Sequence, residues 1–257
     1  FLIRHDGIKY PSFVYDTFKN IYFTDEENQW IDMVVTNIGL LDDIYKKALV
    51  YFALFQACII KRPFNLFHRK NLYIRFSDVE RNFGNKTTWD KPFDVYFRKF
   101  ADEANQAVFS NGQRNKALNL DVFDVEGNFD LVYIDTPYIS KKGVGVDYFG
   151  FYHFLEGLVN YSKWGEMVDY RTKHKRLKGN GSVWVNKDQI HAAFDRLFRK
   201  FQNSILVVSY RADGIPSIED LEDLMKKYKP TVEEVRRKNY KYVLSTNHSE
   251  EVLLIGK

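Results

Sequence analysis

The four residues best suited to chemistry in this chain follow a short apolar run. Asp135, Thr136, Pro137 and Tyr138 come directly after residues 131–134, a run typical of a strand buried on both faces of a parallel sheet. Ligands of open α/β sheets bind beyond the carboxyl ends of their strands. A carboxylate and a nearby backbone carbonyl can accept both hydrogens of an exocyclic amino group, and a tyrosine ring can stack on a base flipped out of a duplex. The pattern therefore predicts a site for a nucleobase amine, with a simple strand end and Thr-Pro turn as the alternative.

Around these residues the sequence alternates between strand and helix patterns. Residues 118–123 and 130–135 are predicted strands, and the apolar run 205–210 predicts another after an intervening helix. Residues 240–245 and 251–255 close the chain as a predicted hairpin. This order is typical of an α/β fold whose sheet has an antiparallel edge.

Residues 1–117 have a different, mainly helical pattern. Thr24 and Glu27 have the spacing of a capping box, and apolar residues follow at helical intervals. Asp43 is placed to begin a second helix, which is apolar nearly all round and is expected to be buried. We therefore predict a helical region at 1–117, which includes a DNA-recognition segment, and an α/β catalytic region at 118–257.

Basic residues are concentrated in two stretches. The first interleaves with aromatic side chains, a combination suited to phosphate contacts and base stacking. Its candidate DNA-binding residues are Lys61, Arg62, His68, Arg69, Lys70 and Arg75. The second stretch, residues 171–178, is a predicted loop for which phosphate binding and an ordinary solvated surface are both open.

Composition excludes several classes of protein. With 45% hydrophobic residues and a net charge of +4 over 257 residues, the chain is neither disordered nor a histone-like polycation. Cys58 is the single cysteine, which excludes an internal disulfide framework and a multi-cysteine zinc site and is typical of a cytoplasmic protein. The six histidines show no metal-ligand spacing, so we expect no metal. No apolar run reaches the roughly 18 residues that a membrane span needs.

The stretch Asp130-Leu-Val-Tyr-Ile-Asp-Thr-Pro-Tyr138 resembles motif IV of amino-group DNA methyltransferases, usually written Asp-Pro-Pro-Tyr. Segments 22–28, 61–69 and 205–217 resemble the Dam-like class of adenine methyltransferases, especially those of restriction-modification systems. The resemblance covers essentially the whole chain. It implies a Rossmann-like methyltransferase sheet, S-adenosylmethionine as methyl donor, and double-stranded DNA as partner.

The same resemblance implies a role for each matching residue. Asp135 would accept a hydrogen bond from the target amine and border the donor, and the Thr136 carbonyl would accept the second amine hydrogen. Pro137 would shape the loop, and Tyr138 would stack on the flipped adenine. Asp121 resembles the acidic residue that such enzymes place near the adenine of the donor, although a turn-capping role is equally compatible with the sequence.

The chain departs from the family pattern at two places. Thr136 stands where the family usually has proline, which gives a looser loop with one more N–H to satisfy. The family's Phe-x-Gly-x-Gly-like donor-binding loop is not found before the motif, and we expect it upstream of Phe1 or lost. The leading hypothesis is N6-adenine methylation of duplex DNA. Methylation of the cytosine amine and a non-catalytic DNA-binding fragment are the alternatives.

Overall fold

Two separate hydrophobic cores divide the chain into a helical unit and a sheet unit. The computed structural model describes residues 1–63, 66–78, 86–179, 181–240 and 249–257. The helical unit comprises Phe1–Arg114 with Tyr148–Gly179, and the sheet unit comprises Asn115–Asp147 with Asn180–Lys257. The division thus differs from the predicted single boundary after residue 117, because residues 148–179 return to the helices.

Helices of varied length build the first unit. Their bounds are α1 Phe13–Thr17, α2 Asp25–Gly39, α3 Ile44–Ile60, α4 Leu72–Phe76, α5 Lys86–Asp90, α6 Phe93–Ala107, α7 Tyr148–Phe151, α8 His153–Val159 and α9 Trp164–Met167. The predicted capping box begins α2: the Thr24 hydroxyl accepts from the Glu27 N–H at 3.3 Å, and the Glu27 carboxylate accepts from the Thr24 N–H at 2.9 Å. Asp43 begins α3 by accepting from two N–H groups of its first turn.

Aromatic packing explains why residues 148–179 belong to the helical unit. Phe154 and Trp164 are fully buried in its core, where both rings contact Phe18. The indole of Trp164 lies directly over Gly157, at which a Cβ atom would stand only 1.8 Å from the ring. Glycine is therefore required at this close approach.

The expectation that α3 is buried all round is wrong. Tyr45 is 81% exposed and Phe52 is 44% exposed, whereas Leu54 and Cys58 on the same helix are fully buried. The sequence could not show this difference, since an apolar helix face is ambiguous until its neighbours are known.

The second unit contains a mixed sheet of four strands. Its strands are β1 Leu131–Ile134, β3 Ile205–Arg211, β5 Val232–Tyr240 and β6 Ser249–Gly256, in the order β1-β3-β6-β5. β1 and β3 are parallel, and β6 is antiparallel to both β3 and β5. A smaller antiparallel pair joins β2 Ile139–Ser140 to β4 Gly214–Ile215.

Two amphipathic helices pack on this sheet. α10 Ile190–Lys200 and α11 Ile218–Lys226 share one hydrophobic cluster with alternate strand residues such as Leu206, Val208 and Leu254. Ser217 caps α11 through a reciprocal pair of hydrogen bonds with Asp220. The unit is therefore a mixed α/β layer, in agreement with the predicted fold class at that level.

Three strand predictions need correction. β1 is not buried on both faces: Leu131 is 51% exposed and Tyr133 is 57% exposed, because in the described residues β1 is an edge strand covered by helices on one face. Residues 118–123 do not form a strand, and only a short 3-10 turn is present, at Val122–Asp124. The hairpin strand before β6 begins at Val232 rather than at residue 240, and residues 241–248 lie outside the described chain.

Within the described residues, none of the helices is long and apolar enough to cross a membrane.

Candidate active site

Backbone topology places the candidate tetrad beyond the carboxyl ends of two parallel strands. β1 ends at Ile134, and residues 135–138 lead directly into β2. β2 pairs with β4, which follows the end of β3 after a tight turn. Gly214 allows that turn to close, because a Cβ atom there would lie 2.6 Å from the Tyr210 ring. The predicted position of the site is the one at which open α/β sheets bind their ligands.

The Tyr138 hydroxyl lies between two carboxylates. It is 3.0 Å from Asp135 Oδ1 and 3.2 Å from Glu251 Oε1. Because a phenol has one hydrogen, it can donate to one of them at a time. The Ser209 hydroxyl donates to the same Glu251 oxygen at 2.6 Å. The four side chains therefore form one hydrogen-bonded group that joins β1, β3 and β6.

The tetrad is exposed unevenly. Asp135 is exposed, Thr136 and Pro137 are half-buried, and Tyr138 is 9% exposed with its ring edge-on to Tyr210 at 5.3 Å. Asp135 thus presents a carboxylate to solvent while the tyrosine beneath it is held by packing and hydrogen bonds.

The Thr136 hydroxyl is a second notable group at this site. Its oxygen is buried and has no hydrogen-bond partner among the described residues. Buried polar groups without partners are uncommon in native proteins, since each loses the hydrogen bonds it made to water. The hydrogen-bonding capacity of this hydroxyl is therefore unused within the described residues.

Asp121 is not at the end of a strand. Its carboxylate accepts from the Phe123 N–H at 2.9 Å and caps the 3-10 turn. The structure therefore shows the turn-capping role directly, and among the described residues Asp121 does not follow a strand that would direct it toward a donor.

The glycines around the tetrad occupy packing and turn positions. Gly143 has a φ of +75° in the turn after β2, and a Cβ atom on Gly145 would lie 2.6 Å from Val185. Neither follows a strand and opens a helix, which is how a glycine loop presents backbone amides to a charged ligand. The described residues thus do not assemble a glycine cradle for a nucleotide-like donor.

Three of the predicted DNA-binding residues are buried, which corrects their assignment. Lys61 and Arg75 are 1% and 4% exposed, and both contact the Glu27 carboxylate at 2.6 Å. Arg62 is 1% exposed, and its guanidinium lies 3.6 Å from the centre of the Phe67 ring. Glu27 thus supplies the partner that the buried charges of Lys61 and Arg75 require to offset their lost hydration. The guanidinium nitrogens of Arg62 have no hydrogen-bond partner among the described residues, and this group packs on aromatic rings instead.

The pairing of Glu27 with Lys61 and Arg75 is the feature of this region that the sequence did not predict. Burial raises the pKa of Glu27, but the hydrogen bonds and charges of Arg75 and Lys61 outweigh burial and leave the pKa below its usual value. One carboxylate therefore caps α2 and pairs with two buried cations. The sequence did contain a hint of this role. Glu27 is the acid of the predicted capping box, and the helix that it caps packs against the core.

The other three predicted DNA-binding residues lie nearer the surface. Arg69 and Lys70 are exposed and His68 is half-buried, while residues 64 and 65 of the same stretch lie outside the described chain. Among the described residues there is no group of three histidine, cysteine, aspartate or glutamate side chains arranged to hold a metal ion.

Comparisons with known proteins place these observations in context. No protein-family model and no solved structure match the chain. The type II methyltransferase M2.HphI of Haemophilus parahaemolyticus is 27% identical over 223 residues, which are 84% of this chain and 62% of that relative. The modification methylases StsI of Streptococcus sanguinis and LlaI of Lactococcus lactis subsp. lactis are each 30% identical, over 47% and 52% of this chain.

These homologues are type II restriction-modification methyltransferases at modest identity. The chain spans 62% of the first relative and 18% and 20% of the other two, so it is similar to a part of each.

Proposed function

We propose that this chain is the amine-binding part of an S-adenosylmethionine-dependent DNA methyltransferase that modifies N6 of adenine. The observation that carries the proposal is the Asp135–Tyr138 pair, joined at 3.0 Å beyond the carboxyl ends of β1 and β3. The homology to type II methyltransferases supports the reaction class. The resemblance of residues 130–138 to the amino-methylation motif supports the amine as target.

The proposed chemistry begins with two hydrogen-bond acceptors. Asp135 accepts one hydrogen of the exocyclic amine, and the Thr136 carbonyl accepts the other. With both N–H bonds held, the nitrogen lone pair points away from the acceptors and toward the incoming methyl group. Positioning of this kind lowers the barrier because the reacting atoms no longer need to find their geometry during the reaction.

Tyr138 holds the proposed amine acceptor Asp135 in place. Its hydroxyl hydrogen-bonds to Asp135, and its ring is fixed by Tyr210 and by the Glu251 carboxylate. We propose that the flipped base stacks against Tyr138 after a small opening of the loop, since the ring is 9% exposed in the structure. The unpaired Thr136 hydroxyl is placed to hydrogen-bond with the base or its sugar.

S-adenosylmethionine would supply an electrophilic methyl group bonded to a sulfonium. The described residues do not fit a complete site for it, because Asp121 caps its own turn and Gly143 and Gly145 do not form a helix-opening loop. We therefore assign the chain's residues to the amine side of the reaction, and we derive no step for the donor.

Analysis of the methylated product tests this proposal. The native gene product is incubated with unmethylated duplex DNA and donor labelled in its methyl group, and the DNA is digested to nucleosides. We expect the label in N6-methyladenine. Label in N4-methylcytosine would keep the amine chemistry and overturn the choice of base. DNA binding without incorporation would favour a non-catalytic DNA-binding protein.

A further inference from the structure

Two basic loops, separated by about a hundred residues in sequence, lie side by side in the helical unit. The first loop is residues 66–70, and the second is residues 169–176, closed at its base by an isolated bridge between Val168 and Leu177. We propose that these two loops, here called the two-loop surface, bind the sugar–phosphate backbone of duplex DNA. The inference rests on the proposed function and names where its DNA partner is held.

A buried tyrosine hydroxyl joins the two loops. Tyr22 is fully buried, and its hydroxyl lies 2.7 Å from the Phe67 carbonyl and 3.1 Å from the His174 carbonyl. His153 Nε2 lies 2.9 Å from the same hydroxyl and 3.0 Å from the Phe67 carbonyl. Because these contacts hold the backbones rather than the basic side chains, the cations remain available at the surface.

The second loop has a defined shape of its own. Asp169 N–H donates to the Arg176 carbonyl at 2.8 Å, and the Thr172 N–H donates to the Asp169 carbonyl at 3.1 Å. Lys175 adopts a positive φ of +55°, and its ammonium donates to the Tyr170 carbonyl. A preformed loop loses less conformational entropy when it binds than a disordered one would.

Three cations of the two-loop surface have no carboxylate partner among the described residues. Asp169 is the one carboxylate within the two loops, and it is paired with Arg171 at 2.8 Å. Lys70, Lys173 and Arg176 are exposed and form no ion pair with any described carboxylate. These three cations are the ones that a phosphate backbone would neutralise, with release of its counterions.

Each loop contains one histidine whose pKa is lowered by burial and by neighbouring positive charge. Burial and the nearby Arg69 and Arg62 lower the pKa of His68, and burial, Arg176 and His68 lower the pKa of His174. The effect of His68 on His174 shows that the two loops lie close to each other, and the arginines add positive charge beside both rings. A polyanion would neutralise this positive charge, whereas a neutral partner would not.

Binding of a fluorescent duplex across salt concentrations tests the two-loop surface. The test variant combines Lys70→Gln, Lys173→Gln and Arg176→Gln. The matched control combines Lys9→Gln, Lys46→Gln and Arg114→Gln, which remove the same charge from exposed positions elsewhere in the helical unit. All six side chains are exposed, so an unchanged free energy of unfolding can be verified for both proteins.

We expect the test variant to bind duplex DNA at least about tenfold more weakly near 100 mM salt, with its salt slope reduced by about 2 to 3. The control should keep the slope of the wild type. An unchanged slope in the test variant, equal losses in both variants, or tighter binding of single-stranded DNA than of duplex would overturn the inference. Methyl transfer is measured separately, so its failure would contradict the proposed function while leaving the binding result interpretable.

Discussion

The Tyr138 hydroxyl lies 3.0 Å from Asp135 Oδ1, across the short segment that joins β1 to β2. On its other side the same hydroxyl lies 3.2 Å from Glu251, to which Ser209 also donates. The orientation of the proposed amine acceptor therefore depends on a network that reaches two neighbouring strands.

Removal of the Tyr138 hydroxyl tests this dependence. In Tyr138→Phe the ring remains, but the hydrogen bond to Asp135 is lost. We expect kcat for methyl transfer to fall by about 10- to 100-fold, while KM for DNA changes little, because positioning rather than affinity is lost. Tyr133→Phe, which removes an exposed tyrosine hydroxyl from the preceding strand, is the control. A rise in KM with normal kcat would contradict the positioning role.

Glu251 should matter as a hydrogen-bond acceptor rather than as a charge. Glu251→Gln keeps an acceptor for Ser209 and Tyr138, whereas Glu251→Ala removes it. We expect the first variant to retain most methyl transfer and the second to resemble Tyr138→Phe. Equal activities of the glutamine and alanine variants, with equal unfolding free energies, would count against this role.

Glu27 should be far more important for stability than an ordinary surface acid. Glu27→Gln leaves Lys61 and Arg75 buried without a compensating charge, and breaking such buried pairs costs about 3–5 kcal/mol. Urea unfolding measures this loss. Glu103→Gln removes an exposed partner of Lys99 and should change the unfolding free energy much less. Similar effects of the two substitutions would show that the ion pairs of Glu27 with Lys61 and Arg75 do not stabilise the fold.

The buried His153 should make the free energy of unfolding depend on pH. Burial, assisted by the charge of His174, lowers its pKa to about 3, whereas histidine in the unfolded chain titrates near about 6.5. As pH falls below the unfolded value, the unfolded state binds a proton that the folded state does not. The contribution of neutral His153 to the free energy of unfolding is therefore fully present above about pH 6.5. Below that pH it decreases by about 1.4 kcal/mol per pH unit.

Urea unfolding at about pH 7 and about pH 5 checks this sign. The wild type should lose about 2 kcal/mol more between these values than His153→Gln, which has no titrating ring. His5→Gln alters an exposed side chain and should behave like the wild type. The same loss in wild type and His153→Gln would show that His153 does not carry the effect.

Local signals in the sequence predicted the elements that are fixed by neighbouring residues. Thr24 with Glu27 begins α2 and Asp43 begins α3 as predicted, because capping involves residues two or three positions apart. The tetrad was also placed correctly after β1, since an apolar run followed by polar residues marks a strand end wherever it occurs.

Relationships between distant residues could not be predicted in this way. In the sequence alone, Lys61 and Arg75 resemble surface cations, because nothing local shows that Glu27 lies beside them. The role of Glu251 depends on β6 lying next to β3, which no local pattern reveals. Likewise, the contact of Tyr22 with His174 joins segments 152 residues apart. Sequence therefore predicted the position of the candidate tetrad at a strand end better than the distant residues that contact it.

The most direct test of the account is methyl incorporation by the native gene product with Asp135→Ala. Labelled methyl groups transferred to duplex DNA and duplex binding affinity are measured on the same preparations. We predict incorporation at background with affinity within about threefold of wild type, because phosphate contacts supply most of the affinity and Asp135 holds the amine. Near-normal incorporation by Asp135→Ala would contradict the assignment of Asp135 as the amine acceptor, and with it the proposed active site.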